Sequence, residues 1–142
     1  MNFEDLDFDA RGYNASSAYA QSKLANLLFI AELTRKLEAA GADMLAASAH
    51  PGWTQTNLQK HSNLFKLMNP LLGMQPIGGA LPTLRAATAT DVEADDYYGP
   101  SRFFEISGPP TKVERTERAK NAADAARLWE IFEERSGVKF DL

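Results

Sequence analysis

The 142-residue chain contains no cysteine and only two histidines, His50 and His61. Disulfides, thiolate nucleophiles and Cys-based zinc sites are therefore excluded, and so is a His-rich metal centre; no metal ligand is assigned. Long apolar runs are absent too, since no window approaches the roughly eighteen uninterrupted apolar residues of a membrane span. The opening Met1-Asn2-Phe3-Glu4-Asp5 is acidic where a signal peptide needs positive charge and then an apolar core, so an intracellular, cytoplasmic protein is expected. Positive charge is in deficit: 15 Lys and Arg face 19 Asp and Glu, for a net charge of −4. That balance favours solubility and offers no field for phosphate backbones or anionic membrane, so no nucleic-acid partner is expected. What is present, 44% hydrophobic and 24% charged residues, is the composition of one soluble globular domain. A domain of this length buries roughly two thirds of its unfolded surface, enough for a proper core.

Along the chain, residues 1 to 13 interleave Phe3, Phe8 and Tyr13 with acidic residues and read as a loop. From Asn14 the pattern turns helical: Asn14 or Ser16 can cap, good helix formers continue through Ala40, and Gly41 is placed as the stop. Between Leu24 and Leu33 only Asn26 and Glu32 are polar. A helix apolar on all sides is expected to be buried on all sides, either between a sheet and a partner subunit or at the centre of its own domain. Met44 to Ala49 is a short apolar run ending at His50-Pro51-Gly52, which suggests a buried strand stopped by proline. Residues 53 to 75 are irregular and greasy. A second helix is predicted from Pro76 to about Thr88, because proline suits a first turn. Asp91 to Asp96 lacks the spaced ligands of a calcium loop and reads as a solvated turn. Arg102 to Ile106 reads as another short strand. After Gly108-Pro109-Pro110 a last helix covers about Glu117 to Arg135, ending near Gly137. This order predicts an α/β chain with at least two parallel strands joined by a helical crossover.

The sharpest chemical feature is Tyr19-Ala20-Gln21-Ser22-Lys23, because residues four apart on a helix share a face. A free tyrosine titrates near pH 10, too high for efficient proton transfer at neutral pH, and a nearby ammonium lowers it by favouring the phenolate. Such a tyrosine can serve as acid or base towards an alcohol or carbonyl. A tyrosine and lysine at this spacing also occur in many helices for structural reasons alone. Their context is more specific. Ala18-Tyr19-Ala20-Gln21-Ser22-Lys23-Leu24-Ala25-Asn26, continuing Leu27-Leu28-Phe29, closely resembles the active-site helix of the short-chain dehydrogenase/reductase family, in its retinol dehydrogenase-like branch. About thirty residues on, His50-Pro51-Gly52-Trp53-Thr54-Gln55-Thr56 is similar to that family's Pro-Gly turn with its following threonine.

The resemblance implies the C-terminal part of a Rossmann-type doubly wound parallel sheet with flanking helices, residues 1–142 forming a single partial domain. It implies an oxidoreductase that interconverts an alcohol and a carbonyl with NAD or NADP, the latter slightly favoured. Tyr19 would be the general acid/base, and Lys23 would lower its pKa and hydrogen-bond the nicotinamide ribose. The backbone of Pro51, Gly52 and Thr54 would border the nicotinamide, Thr54 standing where an apolar residue is more usual, and Thr56 would touch the carboxamide or the phosphate. Residues 62 to 75 would form a substrate lid, implying a small hydrophobic substrate; ordinary packing is the competing reading of that segment. The helix containing Tyr19 resembles the one through which these enzymes pair, so a homo-oligomer is expected. His50 occupies a position where the family often has histidine without a chemical role, and His61 reads as exposed. Ser16, Ser17 and Ser22 have no evident neighbouring base and are not assigned as nucleophiles.

One further lack bears on the resemblance. The nine glycines are scattered, with no Gly-x-Gly-x-x-Gly or Thr-Gly-x-x-x-Gly to bring a bare backbone to a pyrophosphate. The family's catalytic serine and asparagine are expected upstream of Met1. A strand beside residues 44 to 49 would then be missing too, so the isolated chain is expected to be unstable, aggregation-prone or completed by another chain, with very low cofactor affinity. A competing reading is a non-catalytic truncated product that pairs through its long apolar helix. A nucleotide-sugar epimerase or dehydratase also uses a Tyr-x-x-x-Lys pair, but the wording around Tyr19 and the short C-terminal part argue against it.

Overall fold

A computed structural model of the protein describes residues 1–54 and 73–141. The chain divides into two compact units, one comprising Met1–Ala46 with Arg115–Leu142, the other Ala47–Glu114. The first is helical. Its long helix α1 spans Ala15–Ala39 and starts where expected, with the Asn14 side chain accepting the Ser17 amide at 2.9 Å. It also stops where expected: Gly41 adopts φ +63°, and the Ala42 amide turns back to the Leu37 carbonyl at 3.0 Å. Residues 1 to 13 carry no helix or strand and are pinned by ion pairs, Glu4 to Arg127 and Asp7 to Arg135. A short 3-10 turn, Glu117–Lys120, leads into the last helix of the chain, Ala122–Ser136, capped by Asn121 and closed by Gly137 at φ +70°. The core of this unit is Leu28 against Ala125 and Leu128, with Phe3, Leu24, Ala25 and Ala31 packed around it.

All-round burial of α1 is not what the unit provides. Leu28 and Leu37 are buried, but so is Glu32, whereas Phe29 is 37% exposed. Glu32 is tolerated inside because Arg35, one turn on, donates to its carboxylate at 2.9 Å. Phe29 instead stacks on Trp129, ring centroids 5.1 Å apart, with its outer edge open.

The second unit is a three-stranded sheet with one helix: β1 (Ser48–Ala49), α2 (Pro76–Thr88), β2 (Tyr97–Arg102) and β3 (Ser107–Lys112), in the order β1-β2-β3. β1 and β2 are parallel, Ser48 opposite Tyr97, and α2 lies between them in sequence, as the predicted crossover requires. β1 is shorter than the apolar run suggested. Its ladder runs only from the Ser48 amide to Asp96 and from the His50 amide to Tyr98, while Met44 and Leu45 are exposed and have no strand pairing. Among the described residues β1 is an edge strand.

Of the strand expected over residues 102 to 106 only Arg102 lies in one, as the last residue of β2; residues 103 to 106 form the turn between β2 and antiparallel β3. Phe103, Phe104 and Glu105 all take left-handed conformations, φ 52°, 54° and 63°. That geometry costs roughly 1–2 kcal/mol per residue for a side chain with a Cβ. The Gly108-Pro109-Pro110 run is part of β3; proline is tolerated there because β3 is an edge strand among the described residues. The acidic turn before β2 is occupied by cations from within the unit: Arg85 pairs with Asp91 at 2.6 Å, and Lys112 pairs with buried Asp96. Among the described residues no group of His, Cys, Asp and Glu is arranged to hold a metal ion.

Candidate functional site

The first candidate pair sits on α1. Tyr19 and Lys23 share a helical face, and the Lys23 ammonium lies 5.3 Å from the centre of the Tyr19 ring. Tyr19 is 54% exposed, so its side chain is accessible to a reactant. Between them Gln21 faces another way: its amide donates to the Leu6 carbonyl at 2.9 Å and its oxygen accepts Arg11 at 2.8 Å. The helix thus uses one residue to hold the acidic N-terminal segment and leaves the Tyr19–Lys23 face clear. Ser22 spends its hydroxyl on the Tyr19 carbonyl at 2.8 Å.

The second group lies in the other unit, at the carboxyl end of β1, and its shape is set by positions where a Cβ cannot fit. Gly52 has φ +63°, and a Cβ there would meet the Ile106 carbonyl oxygen and Pro100 Cγ at 2.6 Å. A Cβ on Gly99 would strike the His50 ring, and one on Gly79 would strike the Thr54 side chain. Thr54 is buried, and its hydroxyl donates to the Pro51 carbonyl at 2.9 Å. This hydroxyl is spent inside the turn, so an approaching molecule would meet the exposed Pro51 and the backbone at Gly52. The turn is fixed from both sides: the Trp53 amide donates to Ile106 and the Met74 amide donates to Trp53, both at 2.8 Å.

His50 is not free. Its Nδ1 accepts the Gly52 amide at 3.3 Å, its Nε2 lies 3.0 Å from the Glu105 carboxylate, and its ring packs on Tyr97. Glu105, the partner of His50, is a residue that sequence reasoning missed. The available signal was Gly99, a glycine inside a strand that marks a close approach. Tyr19 and Lys23 therefore meet in the helical unit, and Pro51, Gly52 and Thr54 meet in the sheet unit. Thr56 and His61, with residues 62 to 72 of the expected lid, lie outside the described residues. Among the described residues no helix is long and apolar enough to cross a membrane.

No family model matches the chain. Retinol dehydrogenase 14 of Mus musculus is 34% identical over 145 residues, covering 97% of this chain and 40% of the mouse protein. Retinol dehydrogenase 13 of Homo sapiens is 42% identical over 132 residues, covering 91% of this chain and 39% of the human protein. The chain thus spans about 40% of the length of these curated relatives. A crystal structure of an uncharacterized protein from Mycobacterium paratuberculosis superposes with a TM-score of 0.79 at 40% identity, over 100% of this chain and 47% of that one. A likeness that runs through the Tyr19–Lys23 helix, the Pro-Gly turn and the mixed sheet alike places the chain, as a C-terminal portion, in the retinol dehydrogenase-like branch of the short-chain dehydrogenase/reductase family.

Proposed function

We propose that this chain supplies the proton-transfer part of an oxidoreductase that interconverts an alcohol and a carbonyl compound, within a catalytic domain larger than the chain itself. The observation that carries the reading is the open Tyr19–Lys23 face on α1, set in a stretch shared with named dehydrogenases. In reduction the Tyr19 hydroxyl donates its proton to the carbonyl oxygen; in oxidation the phenolate takes the proton of the alcohol. Lys23, one turn away, stabilises the phenolate and can donate to ribose hydroxyls.

The residues present suit the nicotinamide end of NAD or NADP. By resemblance, Lys23 of the helical unit would offer ammonium donors, and in the sheet unit, taken by itself, the backbone of Pro51, Gly52 and Thr54 would border the ring, the Thr54 hydroxyl being already bonded internally. By resemblance Thr56 contacts the carboxamide or phosphate. When bound, the nicotinamide supplies or accepts the hydride. The pyrophosphate cradle has no counterpart in this sequence, which contains no Gly-rich turn. A small apolar substrate is supported by the relatives' name, retinol being a hydrophobic alcohol.

Joining the chain to a dinucleotide-binding half of a relative and following nicotinamide absorbance with apolar aldehydes and alcohols tests this reading. Turnover in either direction is expected; a folded, cofactor-binding fusion without turnover contradicts it. A second reading, pairing of two copies through α1, is favoured by the open apolar groove of about 470 Å³ that Phe29 and Leu33 line with Trp129, Phe132 and Phe140. Sedimentation of a Phe29→Glu variant distinguishes it, because a pairing face loses its dimer and a solvent-facing groove does not.

A further inference from the structure

We propose that His50 is a positioning residue for the Pro51–Gly52 turn, acting as the neutral imidazole that carries its proton on Nε2. Its functional meaning rests on the cofactor role proposed for that turn, but its geometry does not. Both ring nitrogens are engaged, Nδ1 by the Gly52 amide and Nε2 by the Glu105 carboxylate. An amide donor on one nitrogen and a carboxylate acceptor on the other select a single neutral tautomer. With the proton on Nδ1, two N–H groups would face each other and a ring lone pair would face the carboxylate. In the imidazolium the Glu105 bond would survive, but the acceptor for Gly52 would be gone.

The ring has a built seat. Gly99 on β2 leaves room for it where a Cβ would collide, and Tyr97 packs on it with centroids 5.1 Å apart. Among the described residues, the titratable groups recorded against the imidazole are Glu105, in the β2–β3 turn, and Tyr97, on β2. Burial and then the charge of Glu105 push the Tyr97 phenol up, so it stays neutral where imidazoles titrate. Protonation of His50 is thus felt by Glu105 on one side and by Gly52 on the other. The Ile106 carbonyl also accepts the Trp53 amide at 2.8 Å, so the left-handed Phe103–Glu105 turn and the Pro-Gly turn are tied at two points. His50 is the tie that protonation would break: an imidazolium has no lone pair left for the Gly52 amide, and the backbone that would border the nicotinamide loses that bond.

Nitrogen-15 NMR of the chain, or of a longer protein containing it, tests the proposal without any enzymatic readout, so it can fail while the oxidoreductase reading stands. Long-range proton–nitrogen spectra are expected to place the neutral-pH proton on Nε2, and the Gly52 amide resonance is expected to move as His50 is protonated. In His50→Asn, whose side-chain oxygen sits near the place of Nδ1, Gly52 should keep its neutral-pH shift and lose its pH dependence. His50→Ala should lose that shift altogether. Should His50→Ala fail to fold, Glu105→Leu serves: with no acceptor left for the Nε2 proton, the share of the Nε2 tautomer at neutral pH should fall. A proton on Nδ1, or a Gly52 resonance indifferent to His50 protonation, overturns the proposal.

Discussion

Gly41 and Gly52 share a backbone conformation, φ +63° in both, yet they sit in opposite surroundings. Around Gly41, at the end of α1, a Cβ would meet nothing within 4 Å; at Gly52 it would meet two carbonyl oxygens and a proline ring within 3 Å. The contrast extends to the units that contain them. The helical unit presents its candidate pair on an open face, whereas the sheet unit builds its candidate turn by interlocking backbone with backbone. A proton-transferring hydroxyl needs access, and a surface that borders a flat ring needs rigidity, so the difference suits the two roles proposed.

The contrast is broken most strongly by paired glycine substitutions. Gly52→Ala should destabilise the protein by about 2–5 kcal/mol, left-handed strain and overpacking acting together. Gly41→Ala should cost only the strain, about 1–2 kcal/mol. Urea denaturation of the two variants measures the difference, and equal losses would show that the turn is looser than the geometry indicates. Asn14→Ala removes the cap of α1 and should cost about 1 kcal/mol in the same assay. A smaller effect is expected in acid. Glu133 receives the Phe140 amide, Lys139 and the Trp129 indole, which hold its carboxyl at about 2 against an ordinary 4.5. A carboxyl lowered in the folded state contributes stability above its ordinary range and loses it as pH falls towards the folded value. Trp129 fluorescence should therefore change between these limits, as residues 138 to 140 release, and the change should be absent in Glu133→Gln.

The helical unit was largely legible in the sequence because its signals are local. Asn14 and Gly41 mark the ends of α1, and Gly137 marks the end of the last helix, by chemistry within a few residues of each boundary. Burial of Glu32 escaped because it depends on Arg35 rather than on hydrophobicity. The sheet unit was legible only in outline. β3 was hidden by its own prolines, which an edge strand accepts, and the turn at Phe103–Glu105 by side chains that ordinarily avoid left-handed backbone. Tyr19 and Lys23 could be found because they are four residues apart. The His50–Glu105 pair could not, since 55 residues separate its members and Glu105 lies in no motif.

Tyr19 is half exposed, so removing its hydroxyl should leave stability within about 0.5 kcal/mol. That makes Tyr19→Phe the most direct test of the account, made in a protein that joins this chain to a dinucleotide-binding half. Turnover should fall by about 10²-fold or more, because the proton donor is lost, while affinity for NADPH or NADH stays as it was. Turnover close to that of the unsubstituted protein would contradict the role of Tyr19 and, with it, the proposed chemistry of the chain.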